Sequence, residues 1–269
     1  MRAYRTFACV LLALVVAVPA AAAEALLGHR ASYLISLRNA GWGSGITSFN
    51  GKMVVEFANA CDGFTLNQRF VSQMVNEEGV VATGDLWMTT WESAKGDSFR
   101  FSFSQDINGA SIEKYAGTAF AASGGTQPRI EYREGKIASA VLPADSIFPT
   151  AYIVELLQAA EAGQTTLARK VFDGSGEGDS YQAFAVIGRM RAPDSELPQV
   201  DGGAAIAGLA SWPVTVSYYP VGSQDDTPEY ETSFRLFANG VSTDLVLDFG
   251  TFSINGVLEK IDTLSAPPC

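Results

Sequence analysis

The chain is poor in the residues that most often carry out chemistry. It holds one histidine, His29, and three cysteines, Cys9, Cys61 and Cys269, in 269 residues. Serine–histidine–aspartate and cysteine–histidine catalysis both need a positioned base. A lone histidine near one end is a poor candidate and reads as a surface or strand-entry residue. Histidine-based metal clusters are excluded by count, and the two thiols outside the first two dozen residues, with one distant histidine, do not make a four-ligand site. Basic residues are also scarce, at 18 Lys and Arg against 29 Asp and Glu, for a net charge of −11. Such a surface repels nucleic acid and anionic lipid headgroups. Apart from the first two dozen residues, no apolar run approaches the ~20 residues a spanning helix needs.

That first segment has the three parts of a secretory signal peptide. Arg2 and Arg5 are basic, residues 7–18 are apolar, and Ala21-Ala22-Ala23 is a small-residue cleavage site. The reading is a leader over 1–23 and one β-rich domain over 24–269, exported to the periplasm. Cleavage would leave 246 of the 269 residues and, by removing Arg2 and Arg5, a net charge of −13. It would also remove Cys9. Cys61 and Cys269 then form an even pair in an oxidising compartment, read as a disulfide, with two free thiols as the alternative. A bridge across 208 residues is worth up to about 5 kcal/mol by chain entropy.

What the chain has in abundance is period-two alternation, the mark of strands with one buried face. In DSFRFSFSQD, Phe99, Phe101 and Phe103 share a face; in GKMVVEFAN, Met53, Val55 and Phe57 do. A dozen or more such runs are separated by Gly, Asn and Asp corners. One helix interrupts them. In 149–164, Pro149 stands in the first turn, Gly163 ends the helix, and Ile153, Leu156, Leu157 and Ala160 form one apolar stripe. Residues 191–211, rich in Pro, Gly and Ala, break the alternation and read as a weakly structured connection. The fold expected is a mainly β, strongly curved antiparallel sheet.

Three stretches invite chemical readings. DGSGEGDSY (173–181) sets oxygens at alternate positions, yet lacks the spacing of a calcium loop and reads as a hairpin turn between strands. GWGSG (41–45) lacks the ending of a phosphate loop and reads as a bend. Asp85 and Glu92 lie near Trp87 and Trp91, a combination a glycosidase would use, but two core or cavity aromatics on one strand face explain it as well. No catalytic residue, metal site or cofactor is assigned. The aromatics Trp87, Trp91, Phe99, Phe101 and Phe103 are the candidate lining of an apolar ligand cavity, with ordinary core filling as the alternative.

The order of several segments resembles a known family. YLISLRNAGWGSGI is followed by FANACDGFTLNQRF, then FPTAYIVELLQAAEAGQ, KVFDGSGEGDSY and a C-terminal cysteine. The set is similar to the EipB-like family of periplasmic cell-envelope integrity proteins, over nearly the whole exported chain. Tyr152 is a departure, since histidine is common there in the family. The resemblance implies a spiral or half-barrel-like sheet wrapped around helical elements, similar to that of periplasmic lipoprotein carriers. It implies that Cys61 and Cys269 match the family's disulfide, and that the protein is not an enzyme. It also implies a role in envelope integrity through contacts with periplasmic proteins. A carrier or binder of a lipid, acyl chain or lipoprotein is the alternative.

Overall fold

The computed structural model describes residues 26–193 and 200–268. The leader assigned to 1–23 lies outside them, as does Cys269. Fifteen strands form one sheet. In the first half, β1 (His29–Ala40), β2 (Ile46–Ala60), β3 (Gly63–Asn76), β4 (Val81–Ser93) and β5 (Ser98–Ile107) follow one another as antiparallel neighbours. They continue into β6 (Ala110–Phe120), β7 (Arg129–Glu134) and β8 (Ser139–Val141). The second half starts at β9 (Ser146–Ile147), passes through α1 (Pro149–Glu161), and meanders from β10 (Thr166–Val171) through β11 (Tyr181–Ile187) and β12 (Ser211–Pro220). It ends with β13 (Tyr230–Phe237), β14 (Ser242–Asp248) and β15 (Phe252–Thr263). β15 then pairs with β1, so the first and last strands are the seam between the halves. All pairings are antiparallel except β9 with β10.

Chain connectivity dictates the curvature. The two edge strands of the sheet are β8 and β9, yet only residues 142–145 separate them in sequence. Five residue steps reach at most about 18 Å. The sheet must therefore curl until its edges nearly meet, without hydrogen bonding to each other. The result is a spiral, not a closed barrel, as the alternation and the family resemblance led one to expect.

Helix α1 lies inside the curl. Leu156, Leu157, Ala159 and Ala160 are buried against Val171, Ala183, Ala185, Trp212, Val214 and Leu236 of β10–β13. Its start follows from Pro149, whose missing N–H costs nothing in the first turn. Its end follows from Gly163, whose φ of 73° suits a helix terminus. Its N-cap residue, Phe148, offers no side-chain acceptor. Instead Glu92, on β4, accepts the N–H groups of Thr150 at 2.7 Å and Ala151 at 2.9 Å.

Residues 200–211 of the connection are more regularly held than their composition suggests. Residues 194–199 lie outside the described residues, but Asp201 bridges to Lys260 on β15. A short 3-10 turn over Gly203–Ala205 follows. Ile206 is buried, at 1% exposure, against Phe237, Val241 and Ile261. β14 pairs with β15 only as far as Gly256, and the segment from Val200 takes the vacant strip beside Glu259–Ile261. One buried isoleucine and an unpaired strand flank hold a stretch whose composition reads as loop.

Replacing Glu92 with alanine orphans two part-buried backbone donors and is expected to lower stability by about 1–3 kcal/mol, measured by urea unfolding. Burial raises the Glu92 pKa above its ordinary 4.5, although the bonds from Thr150 and Ala151 pull the other way. A raised folded pKa contributes stability that is complete below the unfolded value and is lost as pH rises through the folded one. The stability of the wild type relative to Glu92→Gln should therefore be more favourable at pH 4 than at pH 7. A difference that is flat, or of the opposite slope, would contradict this.

Candidate functional site

The inner face of the sheet is divided among three zones. Helix α1 covers β10–β13. A second zone, on β5–β7, is an aromatic cluster. Phe99, Phe101 and Phe103 do face inward, as their alternation requires, but chain returning from the other half covers them. Phe148 stacks on Phe99 with centroids 5.2 Å apart, and Phe172 meets Phe101 edge-on at 5.3 Å. The Gly-rich 173–180 stretch then closes the β10–β11 hairpin across the same cluster. Gly174 has φ 80°, and a Cβ there would sit 3.0 Å from the Phe101 Cβ, so only glycine fits. Glu177 accepts the N–H groups of Lys136 and Ile137, and Gly178 donates to the Tyr132 hydroxyl at 2.6 Å. This loop binds the β10–β11 hairpin to the β7–β8 hairpin across the open edge.

The third zone is only partly covered: Ala31, Tyr33 and Ile35 of β1 and Ile254 and Leu258 of β15 are buried, whereas the inward residues of β2–β4 are half-buried. Across β1–β4, β14 and β15, the inward side chains border two adjoining cavities that share Met53. The first, about 250 Å³, is bounded by Tyr33, Val55, Phe57, Leu66 and Leu245, with Pro149, Thr150 and Ile153 of α1 opposite and His29 at its end. The second, about 410 Å³, is bounded by Phe49, Phe70, Met74, Leu86, Leu247 and Phe252, with Gln68, Ser72 and Gln105 among the polar groups. We call the two, with Met53 on the border of both, the trough. Met53, Phe57, Leu66, Phe70, Met74 and Leu86 point inward yet are only half-buried. Ligand cavities in proteins have this size and character, apolar walls with few polar groups.

None of the five aromatics expected to line a cavity borders this trough. Phe99, Phe101 and Phe103 are packed in the aromatic cluster. Trp87 and Trp91 do share a strand face, but it is the outer one. Arg69 stacks on Trp87 at 4.3 Å and Arg100 on Trp91 at 3.9 Å, each from the directly paired position of a neighbouring strand. The trough is lined by ordinary inward residues of β1–β4 and β14–β15, whose alternation is visible in sequence; what the sequence lacks is any sign of which part of the inner face stays uncovered. His29, read as a surface or strand-entry residue, is indeed the first residue of β1, but it is only 8% exposed and borders the first cavity.

The paired-carboxylate idea has a geometric answer. β4 pairs with β3 without a bulge, so Asp85 and Glu92, seven residues apart, point to opposite faces. Asp85 is held in a bidentate pair with Arg69, at 2.8 and 3.1 Å, and those bonds keep its carboxyl below the usual range. Glu92 is committed to the α1 N-terminus. The GWGSG bend is the β1–β2 connection, with Trp42 fully exposed. Cys61 sits in the β2–β3 turn, and its Sγ lies 4.0 Å from the carbonyl oxygen of Pro268, the residue before Cys269.

Comparison with known proteins fits this geometry. The model of the EipB-like family matches residues 20–265. The chain belongs to the EipB-like family. The cell envelope integrity protein EipB of Brucella abortus (strain 2308) is 34% identical over 249 residues, spanning 91% of this chain and 87% of that protein. A crystal structure of a β-barrel-like protein of domain of unknown function DUF1849, also from Brucella abortus, superposes with a TM-score of 0.81 at 34% identity. It covers 89% of this chain and 99% of the other. Like that EipB-like neighbour, this chain has a barrel-like curl. No helix among the described residues is long and apolar enough to cross a membrane.

Truncating Phe101 to alanine is expected to cost about 3–5 kcal/mol in urea unfolding, as for a well-packed core phenylalanine. Truncating Trp87, which is exposed on the outer face, should cost under about 1 kcal/mol. A small cost at Phe101 would show that the aromatic cluster is loosely filled.

Proposed function

We propose that this chain is a periplasmic envelope-integrity protein that works by binding the apolar part of an amphiphile, a lipid or acyl chain, in its inner trough. The observation that carries the reading is the row of inward apolar side chains, Met53 to Leu86, left half-covered over two cavities that both border Met53. A fold optimised only for stability would fill that space, because unfilled apolar cavities are destabilising. The family relationship supports the envelope role, and the leader-like first 23 residues support the periplasm. The trough favours ligand binding over a role through protein contacts alone. No residue arrangement described above suggests catalysis.

The test is lipid extraction and mass spectrometry of protein purified from periplasm without detergent. A stoichiometric acyl-bearing ligand is expected for wild type. Met53→Trp, which places a large ring where the cavities join, should strip it while the protein stays folded. Wild-type protein that is empty and binds no added amphiphile would overturn the reading.

We also propose the Cys61–Cys269 disulfide. Its support is the approach of the C-terminal segment to Cys61. Cys269→Ser, or reductant, should lower stability by a few kcal/mol, at most about 5, and lower Tm accordingly. An unchanged Tm under reductant would argue against the bridge.

A further inference from the structure

His29 begins β1 and is 92% buried by its 8% exposure. Its Nδ1 lies 2.7 Å from the carbonyl oxygen of Leu27. A carbonyl only accepts, so Nδ1 carries the proton. Burial holds the ring's pKa below the ordinary 6.5, more than the Leu27 bond raises it. The ring is then neutral, and Nε2 presents a lone pair with no donor. Nε2 has no hydrogen-bond partner among the described residues, although the ring borders the first cavity beside Phe57, with centroids 6.2 Å apart. Nε2 is accessible rather than sealed off, and an occupant of the cavity could donate to it.

We propose that His29 is the head-group recognition point of the trough, where Nε2 accepts a hydrogen bond from a neutral hydroxyl or amide N–H of an amphiphile whose tail runs past Met53 into the second cavity. The inference rests on the trough reading and adds the class of ligand. Among the described residues no Asp, Glu, Lys or Arg borders the first cavity. The nearby carboxylate, Glu92, is taken up by the backbone of Thr150 and Ala151. A charged head would therefore enter an apolar end with no counter-charge, which is strongly unfavourable. A carboxylate head would also set acceptor against acceptor at Nε2. A neutral donor satisfies both conditions. The tail's path follows from Met53, which borders both cavities, with Phe70 and Phe49 beyond it.

The experiment is calorimetric titration of the delipidated protein with three probes of equal chain length: 1-dodecanol, dodecyl methyl ether and dodecanoate, at pH 7.5. Wild type is expected to bind the alcohol about tenfold more tightly than the ether, the worth of one hydrogen bond, and dodecanoate most weakly. His29→Phe should remove the preference, so that alcohol and ether bind alike. His29→Gln, whose amide oxygen again accepts, should restore part of it. Should His29→Phe not fold, the wild-type ranking and His29→Gln still decide. Equal binding of alcohol and ether by wild type, or a preference that survives His29→Phe, would overturn the role of His29 and leave the trough intact. Tightest binding of dodecanoate would overturn the neutral-head assignment. Failure of all three probes on wild type would overturn the trough reading itself.

Discussion

The carboxylate of Glu92 is where the two halves of the sheet are joined on the inside. It projects from β4, in the first meander, and receives the first free N–H groups of α1, in the second. A helix N-terminus carries unpaired donors and a partial positive charge, so an acceptor there is worth most where water is excluded. Since Phe148 supplies no cap, the helix depends on a strand far away in sequence. Everything inward of the sheet depends on that placement: α1 covers β10–β13, presents Pro149, Thr150 and Ile153 to the trough, and positions Phe148 on the aromatic cluster.

The same arrangement explains why the trough is open. Fifteen strands make more inner surface than one 13-residue helix can cover. The Gly-rich stretch after β10 covers the aromatic zone, tied down by Glu177 and by the close approach of Gly174 to Phe101. Among the described residues nothing comparable crosses β2–β4. The apolar residues there face inward because the pleat demands it, and they are covered only in part, with Pro149, Thr150 and Ile153 of α1 facing some of them.

The pattern of strands was legible in the residues because alternation is local. So were the helix, with its Pro149 start and Gly163 end, and the hairpin over 173–181. Less legible was the order within 200–209, which depends on a flank of β15 that β14 leaves unpaired. The expected cavity lining shows the limit most clearly. Phe99, Phe101 and Phe103 were rightly placed on one inward face, but whether an inward face meets solvent, a ligand or another part of the chain is a long-range matter. For Trp87 and Trp91 the shared face was legible and its side was not, since Arg69 and Arg100, which stack on them, belong to neighbouring strands. His29 looked unremarkable because its place on the border of a cavity depends on β2, β3 and α1.

By itself the sequence determined the class of the protein: β-rich, acidic, with a leader-like start and one helix, and similar in segment order to the EipB-like family. These follow from composition and from spacings of a few residues, which backbone geometry reads directly. Only the tertiary structure decided that the sheet curls without closing, that Glu92 caps α1, and which third of the inner face stays uncovered. Those outcomes depend on residues dozens of positions apart, Glu92 with Thr150 and Gly174 with Phe101, whose meeting is settled by how the curled sheet folds back upon itself.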